Sequence, residues 1–184
     1  MNTNQPYITT TQHWLSTIVI AYNLCPFAKA EQERNSIRFT VTHDVDIETC
    51  LLHLIQECQQ LDINDDIETT LLIYTKAFGD FDDYLDFLAL AEDLLIEQGY
   101  EGEYQLASFH PNYYFDGENI DEPSNYTNRS PYPMLHLLRE TSIEHAVNNH
   151  PDIDSIPQRN IKLTQSLGSA KLQSLLASCY PTKS

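Results

Sequence analysis

Between Asn125 and Glu140 the chain reads Asn-Tyr-Thr-Asn-Arg-Ser-Pro-Tyr-Pro-Met-Leu-His-Leu-Leu-Arg-Glu, a segment too polar to be core. It holds Arg129 and Arg139 beside His136, Glu140, Asn125 and Asn128, in a chain with only 10 lysines and arginines against 27 acids. Ser130 can cap a helix that Pro131 or Pro133 opens, and the spacing then predicts His136, Arg139 and Glu140 on one helical face. Arg129 would stand just before that helix, where free N–H groups and the dipole favour a carboxylate, phosphate or sulfate. The simpler alternative pairs Arg139 with Glu140 or another surface acid and makes His136 a half-buried spacer.

Two residues elsewhere have suitable chemistry. Pro26 is expected to end the preceding helix near Asn23 and to begin a short helix from Phe27 to Glu33. That would put Cys25 at a helix N-terminus, where a thiolate is stabilised; the alternative is a small buried thiol between two helices. His110 closes the apolar run Glu103 to His110 and could serve as a general acid or base. The long segment Pro111 to Ser130, with Tyr113, Tyr114, Phe115 and Tyr126, exceeds most connections and is expected to be an ordered pocket wall.

Three functional classes use these residues. The first is an enzyme acting on a small anionic metabolite, with catalytic residues Cys25 as nucleophile and His110 and His136 for proton transfer. Its anion-binding pocket would use Asn125, Asn128, Arg129, Arg139, Glu140 and Tyr113. The second is a metalloprotein that uses His136 and Glu140 as a helical pair completed by His110 or Cys25. The third is a noncatalytic module binding a small ligand or another protein. No glycine-rich phosphate loop, nucleophile elbow or dinucleotide fingerprint appears among five glycines, so no cofactor is implied.

The elements that must position these groups follow from periodicity. Trp14, Leu15, Ile18, Val19 and Tyr22 make a helical stripe after a loose arm, Met1 to Tyr7. Strands are expected at Ile37 to Thr42, Glu68 to Lys76 and Glu103 to His110. Between them, helices are expected from Ile47 to Leu61 and from Asp80 to Gln98, the second with Phe81, Tyr84, Leu85, Leu88, Ala91 and Leu95 inward. Thr141 opens a short helix by a capping box, and Ser155 opens the last, with Cys179 on its apolar side. This order predicts one α/β domain over residues 1–184, with a mainly parallel or mixed sheet of three to four strands, flanking helices, and extra N- and C-terminal helices. If the strands are parallel, His43, Lys76 and His110 share one sheet edge; a ferredoxin-like mixed sheet would separate them.

Composition bounds the partners. A formal charge of -17 argues against nucleic acid and anionic membrane, which attract basic surfaces. Trp14 to Leu24 is too short and interrupted for a signal or a span. Cys25, Cys50, Cys58 and Cys179 form neither a disulfide framework nor a metal-type pair, which fits a reducing cytoplasm. The residues do not decide the oligomeric state.

The chain resembles the family named domain of unknown function 1415, bacterial with plant relatives. The resemblance rests on Asn23-Leu-Cys-Pro-Phe-Ala28, Phe109-His-Pro-Asn-Tyr-Tyr-Phe115 and Asn125 to Glu140, and spans nearly the whole chain. It implies no settled activity, substrate or catalytic residue.

Overall fold

A computed structural model describes residues 3–150 and 152–181. The three expected strands are present as β1 (Ile37–Thr42), β2 (Thr69–Tyr74) and β3 (Tyr104–Phe109). Helix α3 (Ile47–Ile63) joins the first two and α4 (Phe81–Glu97) leads to the third. Asp46 caps α3 by accepting a hydrogen bond from the Thr49 N–H, and Asp80 caps α4 through the Asp82 and Asp83 N–H groups.

The principal correction concerns Met134–Arg139, which is a fourth strand, β4, and not the helix that Pro131 and Pro133 suggested. β4 fills a central slot in a mixed sheet of order β1-β2-β4-β3 and runs antiparallel to both neighbours. Its backbone groups are satisfied from two sides, and that tertiary pairing overrides the helical preference of Met-Leu-His-Leu-Leu-Arg. His136 lies opposite Leu71 on β2 and Ala107 on β3. Because strand side chains alternate, His136 and Arg139 point to opposite faces. The helical ligand face composed of His136, Arg139 and Glu140 therefore does not form.

β1 and β2 are the adjacent parallel pair, and β3, also antiparallel to β4, runs in their direction. The carboxyl ends of all three thus share an edge despite the mixed sheet, and β4 begins there. Helices α3 and α4 cover one face, where Leu54, Cys58, Leu61 and Phe87 pack on Leu72, Tyr74, Leu135 and Leu137. The other face carries Leu71, Ile73 and Met134 against Trp14, Leu15, Ile18 and Cys179. Apolar burial on both faces is what holds the layers together.

That second layer is assembled from both ends of the chain. Helix α1 (Gln5–Trp14) continues through a π-helical stretch, Leu15–Ile20, so residues 5–7 of the expected loose arm are helical. Met1 and Asn2, which belong to that arm, lie outside the described residues. Short α2 (Ala28–Arg34) precedes β1, and α5 (Glu140–Asn149) follows β4. The expected last helix is two, α6 (Ile156–Leu167) and α7 (Ser169–Ser178), separated at Gly168, whose φ of 76° suits glycine.

Candidate functional site

Asn125 and Arg129 in the Pro111 to Ser130 segment are occupied with the segment's own backbone. Asn125 is 0% exposed; its Oδ1 accepts from the Phe115 N–H at 3.1 Å, and its Nδ2 donates to the carbonyls of Asn119 and Ile120 at 2.9 and 3.2 Å. Arg129 donates from Nε to the Tyr113 carbonyl at 3.0 Å and from Nη2 to the Ile120 carbonyl at 2.7 Å. Its guanidinium also lies 4.5 Å from the Tyr126 ring centroid. Asn128 donates to the Ser108 carbonyl at 3.0 Å, stitching the segment to β3. Tyr113 packs edge-on against Phe81 and Phe115.

His110 is equally committed. Its Nε2–H donates to the Phe78 carbonyl at 2.8 Å, and its Nδ1 accepts from the Asn112 N–H at 3.0 Å. Both nitrogens of this fully buried ring are used, which fixes the tautomer, and burial lowers its pKa. On the α3 side of the sheet, Arg139 donates to the carbonyls of Leu61 and Ile67 at 2.7 and 3.0 Å, the first of them in the last turn of α3. Glu140 begins α5, and its N–H donates to the Glu103 carbonyl.

His136 occupies a different setting. It projects from β4 into the helical layer, where a cavity of about 660 Å³ is lined by Trp14, Val19, Cys25, Phe27, Leu71 and Phe109 among mostly apolar side chains. The Thr69 hydroxyl donates its hydrogen to the Leu137 carbonyl, so it can only accept from His136 Nε2–H, 2.7 Å away. The lone pair therefore resides on Nδ1, which has no hydrogen-bond partner among the described residues. Burial pushes the pKa of His136 down to about 4, so the ring is neutral at pH 7.

Cys25 lines the same cavity, partly exposed and without a hydrogen-bond partner among the described residues. Helix α2 begins at Ala28 with Phe27 as its N-cap, so Cys25 precedes the helix terminus at which the sequence spacing predicts it. The structure thus brings Cys25, His136 and Arg139 to the walls of one cavity, the Arg139 guanidinium being held by the Leu61 and Ile67 carbonyls, and leaves His110, Asn125 and Arg129 off them. Thr69 and Trp14 are wall residues that sequence motifs alone do not single out. Alternation along β2 puts Thr69 on the same face as Leu71 and Ile73, and that polar start to an apolar strand face was the available signal.

Among the described residues, no group of three or more His, Cys, Asp or Glu side chains is placed to hold a metal ion, and no helix is long and apolar enough to cross a membrane. Fold and cavity define an α/β protein whose mixed sheet and terminal helices enclose a mostly apolar pocket lined by three imidazoles, those of His136, His145 and His150, and by the Cys25 thiol. The chain belongs to the family described as Protein of unknown function (DUF1415), whose model matches residues 6–174. No curated protein and no solved structure matches it.

Proposed function

We propose that the protein is an enzyme acting on a small, largely apolar molecule held in this cavity. The molecule carries a hydroxyl or amino hydrogen that His136 Nδ1 accepts, and Cys25 is the reactive thiol. The supporting observation is that an unpartnered imidazole nitrogen and the partly exposed thiol line one apolar cavity of about 660 Å³. Such cavities take a small ligand by apolar contact and orient it by a few polar groups. A neutral ring serves as acceptor and not as anion clamp.

An anionic substrate has weaker support, because Arg129 and Arg139 donate to carbonyls and Arg34, at the cavity wall, pairs with Glu31. The four free thiols suit a reducing compartment such as the cytoplasm.

Trp14, the one tryptophan of the chain, lines the cavity and reports its occupancy by fluorescence. Phenol, which can donate to Nδ1, should bind about 10-fold more tightly than anisole, which cannot. The preference should vanish in His136→Phe; equal binding of both in the unaltered protein would sink the assignment. Hydrolysis of phenyl acetate through an acetylated Cys25, lost in Cys25→Ala, marks an enzyme. Phenol binding with phenyl acetate left intact favours the noncatalytic module.

A further inference from the structure

A second cavity, of about 500 Å³, adjoins the first, and Val19, Cys25 and Phe109 line both. Cys25 therefore stands on the border between two compartments. The second differs in chemistry. Leu24, Phe115, Ile156 and Ile161 give it apolar walls, while Asp116 and Glu118 bring two exposed carboxylates and no lysine or arginine lines it. The neighbouring Arg159 is engaged with the Asn23 carbonyl and the Asn160 side chain.

The independent sign of a ligand site is Ser124. It lines this cavity at 5% exposure, and its hydroxyl has no hydrogen-bond partner among the described residues. The other uncharged polar walls are satisfied: Asn160 donates to the Leu24 carbonyl at 2.8 Å, Asn128 donates to the Ser108 carbonyl, and the Thr127 hydroxyl donates to the Ser124 carbonyl at 2.9 Å. A hydroxyl without a partner among the described residues, on a residue only 5% exposed and beside solvent-facing carboxylates, suits a group that brings hydrogens and positive charge.

We infer that the second cavity is the subsite for the ammonium end of the same ligand, so that the substrate class is an amphipathic primary amine whose other, largely apolar end carries the hydrogen that His136 Nδ1 accepts, with Cys25 at the border. The ammonium hydrogens meet the Ser124 hydroxyl oxygen and the carboxylates of Asp116 and Glu118. An anionic end would face two like charges. The inference rests on the proposed ligand reading of the first cavity.

The test titrates three probes that share a phenylethyl group against Trp14 fluorescence: 2-phenylethylamine, 2-phenylethanol and 3-phenylpropanoate. The amine should bind about 10-fold more tightly than the alcohol, and the carboxylate more weakly than either. In the double variant Asp116→Asn with Glu118→Gln, both at exposed positions, the amine advantage should fall to about 2-fold while alcohol binding holds. Ser124→Ala should weaken the amine about 3-fold. An amine advantage that survives in the double variant reflects the overall charge of -17 and overturns the subsite. If the alcohol binds and the amine binds no better, the subsite falls and the first cavity stands. If no probe shifts Trp14 emission, both fall.

Discussion

The Pro111 to Ser130 segment and the cavity around His136 both carry chemically capable side chains, yet they treat the polar atoms of those side chains in opposite ways. In the segment, Asn125, Asn128, Arg129 and the adjoining His110 give hydrogen bonds to backbone groups that a long buried connection would otherwise leave unmet. In the cavity, His136 Nδ1 and the Cys25 thiol are left without partners among the described residues, in an apolar enclosure. Chemical capability is common to both regions; availability separates them. Unmade hydrogen bonds point to ligand chemistry better than polar density does.

The largest effect should come from the committed region. Asn125→Leu removes three hydrogen bonds and strands the Phe115 N–H, while the Asn119 and Ile120 carbonyls keep the Glu122 N–H and Arg129 as donors, so urea unfolding should show a loss of about 4 kcal/mol. Phenol binding to the folded variant should be nearly unchanged. A stable Asn125→Leu protein that no longer binds phenol would reverse the roles assigned to the two regions.

A smaller effect belongs to His136 and depends on pH. Its folded pKa of about 4 lies below the ordinary value of 6.5, so the unfolded chain takes up the proton first as pH falls. The neutral ring's advantage is therefore complete above pH 6.5 and is lost progressively between 6.5 and 4, by up to about 3 kcal/mol. His136→Phe removes this dependence, and the stability difference between the two proteins should shift by that amount across the window. Burial lowers the pKa of His110 as well, so the comparison must use the variant difference and not the raw profile. Parallel pH profiles would mean that His136 titrates as it does in water.

How much of this was legible follows from which forces decide each element. Apolar residues at three-four spacing located α3 and α4, because those helices are set by one buried stripe each. Even there Leu85 is exposed and Phe87 is buried, a rotation of the inward face that periodicity alone did not resolve. The three parallel strands were visible as β-branched or apolar runs between helices. β4 was not, because Leu and Met suit a helix and its strand state depends on β2 and β3, both distant in sequence. With β4 read as a helix, His136 falls beside Arg139 and Glu140 instead of against Thr69 in the cavity that Cys25 also lines. Cys25 and His136 were identifiable by side-chain type, but their shared cavity depends on the fold.

A further prediction tests the stitched segment by geometry at constant charge. Arg129→Lys keeps the cation but loses the fork that reaches the Tyr113 and Ile120 carbonyls together, and should cost about 1 kcal/mol in urea unfolding. Anion binding by Arg129 would instead show as weaker sulfate stabilisation of the Arg129→Lys variant, with its stability otherwise intact.

The smallest effect on stability should be at Cys25, where the contrast with the other thiols is sharpest. Burial pushes Cys50 up to about 11 and Cys58 up to about 12, and raises Cys179, so none of these three offers much thiolate at neutral pH. Cys25 is the one cysteine that is not fully buried. Limiting iodoacetamide on the native protein should therefore label Cys25 alone, with peptide mass mapping as the check and a stability change within about 0.5 kcal/mol. Because Cys25 and Trp14 line one cavity, the label should also change Trp14 emission and block phenol. Labelling without either response would place the thiol outside the ligand's reach. The imidazole would then remain a binding group, but the cavity would lose its nucleophile.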